Sequence, residues 1–490
     1  MAMTTVSGLA TGFLLASVAS AQVQWNIEKR ANPVPRLGRR TGGSISETIL
    51  NEQSLGGYFM TVTVGSPPQN ITLQLDTGSS DVWVPAVNAP ICEEDVQQDG
   101  GCFLGAFNKA QSDTNTIVNN EFDITYVDGS HSRGDYMTDT FSLGDVTLQN
   151  LTMGLGEDTT IPYGLCGVGY ALNEASVAQT GQVYNNLPIV MRDEGHIATN
   201  AYSVWLNDLD SSKGNILFGA IDTAKFSGSL MTVNVQKDPR SDKFTAFVVE
   251  LTSVDAHSSS GDDALSSQAF PIPAVLDSGT TFTYLPQDLA EQVWKEVGAV
   301  FETISSQIPP APLVPCNLAN KDGYFAFGFG GKGGPVIQVA LNELVFPIFD
   351  GRPVPFPSGP NKGQDICLFG IQNTTSSPFL LGDTFLRSAY LVYDLENNEI
   401  GLAPTNFNAT ATNVVPFPSQ GAKIPSSTPA PNQGSVESSN SDNGPGFSAL
   451  GGFTLGSGSS SLMAFDFTAL AVLGGSLSLM VLGGGMFALF

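Results

Sequence analysis

Two short stretches constrain this chain more than anything else in it: Leu73-Gln74-Leu75-Asp76-Thr77-Gly78-Ser79-Ser80 and Ala274-Val275-Leu276-Asp277-Ser278-Gly279-Thr280-Thr281. In each, an apolar run leads into an aspartate, followed by a hydroxyl residue, a glycine and a second hydroxyl residue. The two aspartates stand 201 residues apart, which predicts two related halves that each supply half of one site. A lone Asp-Thr-Gly is a common turn sequence. Two copies in matching apolar settings point to a shared purpose.

The chemistry of such a pair follows from electrostatics. Two carboxyls a few ångströms apart cannot both ionise cheaply, so they share one proton. The ionised oxygen then takes a proton from a bound water while the protonated one donates to a carbonyl oxygen. That scheme calls on no metal, no cofactor and no covalent intermediate. The neighbours fit it. Gly78 and Gly279 let backbone and substrate come close, Thr77 and Ser278 can hydrogen-bond across the pair, and Ser79 and Thr280 can hold the outer carboxylate oxygens.

Charge narrows the choice of partner. The 490 residues hold 20 Lys+Arg against 46 Asp+Glu, a net of −26. That excludes a nucleic-acid partner, which needs a basic surface, and it suits work in an acidic environment.

The chain then divides by composition. Residues 1–21 read as a secretory signal, with an apolar run through Gly12-Phe13-Leu14-Leu15-Ala16 and a small-x-small pattern at Ala19-Ser20-Ala21. Residues 22–40 carry two dibasic pairs, Lys29-Arg30 and Arg39-Arg40, and are expected to be a propeptide removed after Arg40, either by a kexin-like processing protease or by the enzyme itself. From about Ser54 to Pro404, short apolar or alternating runs are broken by Gly, Pro, Asn and Asp, which predicts a mostly β, antiparallel architecture. Leu289–Val297 is the best helix in it. Residues 405–461 are rich in Ser, Asn, Pro and Gly, and read as a stalk with too little apolar surface to fold. The apolar, uncharged tail at 462–490, with small residues and a short spacer before it, reads as a GPI-attachment signal that ties the mature protein to a membrane.

Five cysteines in a secretory context predict disulfides Cys92–Cys102 and Cys316–Cys367, leaving Cys166 as a buried thiol. No Cys/His spacing of the metal-binding kind is present, so no metal is expected. Asn70, Asn150, Asn373 and Asn408 each open an Asn-x-Ser/Thr acceptor sequence for N-glycans.

These residues together resemble the pepsin-like aspartic endopeptidases, of the fungal, GPI-anchored, yapsin-like kind. The likeness covers about residues 55–404. Asp76-Thr77-Gly78-Ser79 and Asp277-Ser278-Gly279-Thr280 match the two active-site loops, and Asp81-Val82-Trp83-Val84-Pro85 follows the first of them. Phe379-Leu380-Leu381-Gly382 matches the element behind the second loop, and Leu165-Cys166-Gly167 its counterpart behind the first. Ile124-Thr125-Tyr126-Val127-Asp128-Gly129-Ser130 resembles the flap hairpin, and Asp128-Gly129 is independently a strong hairpin-turn signal.

The resemblance implies a bilobal fold of two related β-barrel-like lobes, 41–228 and 229–404, with a cleft for an extended polypeptide substrate. It also implies a hydrogen-bonded Tyr126–Trp83 pair fixing the flap, catalysis by Asp76 and Asp277, and a monomeric enzyme at the cell surface, on the plasma membrane or in the wall. A flap carboxylate at Asp128 further suggests acceptance of Lys or Arg beside the scissile bond. The chain departs from the family's pattern at Val127, where glycine is usual, and at Cys166. The competing reading is a catalytically silent pepsin-like binding protein, against which stands the intact state of both motifs. Glycoside hydrolysis also uses two carboxylates, but it does not explain the paired hydroxyl-Gly context.

Overall fold

The structure, a computed structural model, describes residues 57–433 apart from 94–100, 145, 212, 260, 266, 303–309, 349–352 and 376, together with strands Val23–Lys29, Asn32–Val34 and Leu50–Glu52. The signal segment, Arg40, the apolar tail and residues 434–461 of the expected stalk lie outside the described residues.

Each half is built around the same arrangement. In the first, Gln69–Asp76 is an almost wholly buried strand that runs parallel to Gly164–Gly167, with Asp76 opposite Gly167. Val82–Pro85, which follows the Asp76 loop, lies antiparallel to the same Gly164–Gly167 strand. In the second half, Ile272–Leu276 runs parallel to Phe379–Leu381, with Leu276 opposite Leu381, and Thr283–Pro286 lies antiparallel to it. Strands buried on both faces read as continuous apolar runs rather than alternation, which is why the two aspartate motifs carry such runs in front of them.

The first lobe closes on itself through the long strands His131–Leu143 and Val146–Thr159, and Tyr58–Val64 reaches round to pair Thr63 and Val64 with Ser142 and Phe141. In the second lobe Val248–Ser258, Gly323–Phe329 and Val336–Ala340 extend the sheet. A four-stranded sheet carries Ala311–Pro315 and Ile366–Phe369. Between the lobes, Ala201–Trp205 pairs antiparallel with Ala389–Asp394, so the two halves share one sheet. The buried Arg387 fastens this region: its guanidinium donates to the Glu343 carboxylate and to the Glu343 carbonyl at 2.6 Å, while the same carboxylate accepts Leu209 N.

The expected helix is present as Gln287–Val297. It buries Leu289, Ala290, Val293, Trp294 and Val297 on one face, and the Trp294 indole donates to Ile371 O at 2.8 Å. Gly298 ends it at φ 64°, a left-handed position that glycine takes without strain.

The C-terminal expectation changes. The stalk predicted from 405 does not begin there. Val414–Pro416 pairs with Ala220–Asp222, Ser427–Pro429 pairs with Leu230–Asn234, and Phe417, Ile424 and Ala430 are buried. Single apolar residues spread among Ser, Pro and Asn dock here as edge strands, where proline is tolerated; averaged composition conceals them. The segment expected to be a propeptide also holds a strand, since Val23–Lys29 pairs antiparallel with Lys213–Phe218 along six positions and with Tyr58 and Phe59 on its other edge.

Both expected disulfides, Cys92–Cys102 and Cys316–Cys367, are formed, and Cys166 is a buried free thiol. Asn70 and Asn150 are exposed, and Asn373 is half-buried in a strand. Asn408 is exposed, but its side-chain amide already donates to Asp208.

Candidate active site

The two parallel strand pairs deliver Asp76 and Asp277 to one place. Both are fully buried, and each carboxyl lies within electrostatic reach of the other. Each is held the same way. Asp76 Oδ1 accepts Gly78 N at 2.8 Å and Ser79 N at 3.2 Å, and its Oδ2 accepts the Ser79 hydroxyl. Asp277 Oδ1 accepts Gly279 N at 2.8 Å, and its Oδ2 accepts the Thr280 hydroxyl at 2.5 Å. Glycine at 78 is required by space: a Cβ there would stand 2.5 Å from Asp277 Oδ1.

The second residue of each motif reaches across. The Thr77 hydroxyl donates to Leu276 O at 2.9 Å and accepts Ser278 N at 3.0 Å. The Ser278 hydroxyl donates to Leu75 O at 3.0 Å and accepts Thr77 N at 3.2 Å. Four hydrogen bonds thus lock the loops carrying the two aspartates. Burial and the neighbouring carboxyl hold Asp76 well above the ordinary carboxylate range, and burial raises Asp277 as well. A pair in this state keeps one proton into a pH range where free aspartates have lost theirs.

Tied to the strand after the Asp76 loop is a hairpin formed by Thr116–Thr125 and His131–Leu143. Its turn is closed by Tyr126 N to Ser130 O at 2.8 Å and Gly129 N to Tyr126 O at 2.9 Å, with Gly129 at φ 84°. Tyr126 is buried, and its hydroxyl accepts the Trp83 indole N–H at 2.8 Å. The expected pair therefore ties the hairpin tip to the strand after the Asp76 loop. Burial, together with the nearby Asp76, pushes the Tyr126 phenol up, so it stays a neutral donor. Val127 is 39% exposed at the tip. The Asp128 carboxylate accepts Ser130 N at 2.8 Å and the Ser130 hydroxyl at 2.6 Å, and burial raises it.

Other supporting residues were not singled out from the sequence. Asp81, known there only as part of a motif, is fully buried and accepts Tyr136 OH at 2.9 Å, Tyr184 OH at 2.8 Å and Ala175 N at 2.8 Å. Glu174 accepts Tyr184 N at 2.9 Å; burial, with Asp81 nearby, pushes its carboxyl up to about 9. Asn173 donates to Gly78 O at 3.2 Å, and Gln74 donates to Gly279 O at 3.4 Å. These groups come from separate segments, so no local spacing could have marked them.

Residues 57–405 match the family model described as eukaryotic aspartyl protease. Among curated proteins, the chain is 40% identical over 410 residues to the probable aspartic-type endopeptidase OPSB of Trichophyton verrucosum, covering 82% of this chain and 79% of that one. It is 29% identical over 478 residues to aspartic proteinase 3 of Saccharomyces cerevisiae, covering 83% of this chain and 79% of the relative. Among solved structures, the aspartic proteinase from Irpex lacteus superposes with a TM-score of 0.57 at 20% identity, covering 80% of this chain and 100% of its own.

Proposed function

The chain belongs to the eukaryotic aspartyl protease family, and from that premise we propose that Asp76 and Asp277 are its catalytic pair, cutting extended polypeptides in the cleft under the Tyr126–Ser130 hairpin. The observation that carries this reading is the pair of buried carboxyls held by two loops that are locked to each other, with Gly78 of the first loop against the carboxyl of Asp277. The family makes the protein an aspartic-type endopeptidase. The pair gives the route.

One carboxyl is ionised and the other protonated. The ionised oxygen removes a proton from a water, whose oxygen bonds to the scissile carbonyl carbon. The protonated carboxyl gives its proton to the carbonyl oxygen, forming a neutral gem-diol. A proton then passes to the amide nitrogen, the C–N bond breaks, and acid and amine leave. The Gly78 and Gly279 N–H groups and the Ser79 and Thr280 hydroxyls hold the carboxylate oxygens throughout. The hairpin excludes water and offers backbone hydrogen bonds to an extended chain.

We further propose that the enzyme is secreted and works at acidic pH. Support comes from the net charge of −26, the two disulfides and the raised carboxyls of the pair. The propeptide reading of 22–40 with a kexin-like cut after Arg40, the GPI-attached cell-surface location, the N-glycans and the monomeric state rest on sequence pattern alone. A preference for Lys or Arg beside the scissile bond rests on Asp128, a carboxylate at the tip of the hairpin. Cleavage of a peptide library by the purified enzyme, from acid to neutral pH, tests both points. Cuts clustered at basic residues support the Asp128 reading. No cleavage at any pH by correctly processed protein would move the assignment to a silent binding protein.

A further inference from the structure

Two phenol rings from different lobes stack behind the loops that carry the catalytic pair. Tyr202 in Ala201–Trp205 and Tyr393 in Ala389–Asp394 are directly opposed in register. Their ring centroids lie 5.1 Å apart with planes 25° from parallel, and both residues are fully buried. Phe247 completes the group, edge-on to Tyr393 at 4.6 Å. Packing of this kind needs rings, not hydroxyls. A buried hydroxyl costs free energy unless it is bonded, so its partners indicate its use.

Both hydroxyls bond to the main chain around the catalytic loops. Tyr202 OH donates to Val168 O at 3.1 Å, and Val168 N in turn donates to the Asp76 carbonyl at 3.0 Å. Tyr393 OH donates to Leu276 O at 3.4 Å. Leu276 O is the carbonyl immediately before Asp277, and it also accepts the Thr77 hydroxyl at 2.9 Å. Leu276 N is held by Phe247 O at 3.2 Å, so the same aromatic group grips both faces of this residue. The first lobe is not supported in the same way. The matching carbonyl before Asp76, Leu75 O, takes the Ser278 hydroxyl, while Tyr202 reaches to Val168 O instead.

We propose that Tyr393 is a positioning residue for peptide hydrolysis, with Tyr202 as its weaker counterpart: its hydroxyl fixes the Leu276 carbonyl and with it the angle at which Asp277 meets Asp76. A donor aimed at Leu276 O also polarises the peptide unit leading into Asp277. That favours negative charge on the Asp277 carboxyl and leaves the shared proton toward Asp76. The burial of Tyr393 keeps its phenol protonated, so the donor persists over the whole working range. This inference rests on the catalytic reading of the pair.

The test compares Tyr393→Phe and Tyr202→Phe with wild type in steady-state kinetics across pH, with melting temperatures measured alongside and Asp277→Asn as control. Phenylalanine preserves the ring stack, so both variants should fold. For Tyr393→Phe the expected result is a kcat lowered about threefold to tenfold, the worth of one hydrogen bond. KM should stay within about twofold of wild type, and both limbs of the pH profile should move to higher pH. Tyr202→Phe should shift in the same direction by less. A Tyr393→Phe enzyme with wild-type kcat and a superimposable pH profile overturns the proposal, whatever its melting temperature, because the phenol then serves packing alone. Cleavage that survives in Asp277→Asn sinks the catalytic reading itself. An inactive Asp277→Asn beside an unchanged Tyr393→Phe sinks the present inference and leaves that reading standing.

Discussion

Gly78 and the Asp277 carboxyl are in direct apposition: a Cβ at position 78 would lie 2.5 Å from Asp277 Oδ1 and 2.6 Å from its Cγ. The glycine of the first motif is thus shaped by the aspartate of the second. Gly78→Ala must push Asp277 away from Asp76, since the Thr77–Leu276 and Ser278–Leu75 bonds leave the loops little room to give. The expected kcat loss is about a hundredfold or more, the scale for misplacing a reacting group by an ångström. Melting temperature should fall as well, since overpacking a locked, buried site costs about 1–3 kcal/mol. A Gly78→Ala enzyme with near wild-type kcat would contradict the close approach.

Glu174 contributes to a loss of stability at alkaline pH. Burial pushes its carboxyl up to about 9, far above its unfolded value. A carboxyl raised by folding contributes stability that is complete below its unfolded pKa and is lost as pH rises through the folded one. Ionising Glu174 also places a second charge near Asp81. The wild-type melting temperature should therefore fall between mildly acid pH and about pH 9. Glu174→Gln, which keeps an acceptor for Tyr184 N, should flatten that fall and match wild type in acid. Parallel melting curves for the two proteins across pH would contradict the assignment.

Asp128 should make side-chain preference depend on pH. Burial raises its carboxyl, so it is neutral over a wider acid range than an exposed aspartate. On the proposed reading, preference for Lys or Arg is present above that raised pKa and fades as pH falls through it. Asp128→Asn should remove the preference and its pH dependence together, while cleavage beside Phe or Leu stays within about threefold of wild type. Equal losses on basic and apolar peptides would contradict it. The Asn side chain can still accept from Ser130 and keep the turn.

The folded unit runs past Pro404 at least as far as Gln433. Gln433 accepts Asn234 N at 2.6 Å, and Phe417 is fully buried. A protein ending at 433 should melt like the longer one. One ending at 404 should lose at least about 3 kcal/mol from the uncovered apolar surface, and show it as a lower urea midpoint. Equal midpoints would contradict the docking of residues 405–433.

Much of this was legible because it is local. The paired Asp-hydroxyl-Gly motifs, the Asp128-Gly129 turn, the helix ending at Gly298 and the two disulfides each rest on residues whose neighbours in sequence set their geometry. Thr77 and Ser278 could be assigned to each other because two similar loops must meet about one axis. What escaped is what only packing decides. Nothing near Glu174 or Tyr184 in sequence announces that Tyr184 will bridge Glu174 and Asp81. Tyr202 and Tyr393 lie 191 positions apart in strands that read as ordinary apolar runs, and only the shared sheet stacks them. The edge strand Val414–Pro416 was concealed by composition, because three residues in a Pro- and Ser-rich stretch contribute little to any average.

The most direct test of the central claim is peptide cleavage by Asp76→Asn and Asp277→Asn, each measured beside wild type with its melting temperature. Asparagine keeps the shape and the hydrogen bonds from Gly78 N and Gly279 N but cannot share the proton. The account predicts that both variants fold, with melting temperatures no lower than wild type since a buried charge is gone, and that both lose cleavage to the detection limit. Substantial turnover by either folded variant would contradict a two-carboxyl mechanism at this site.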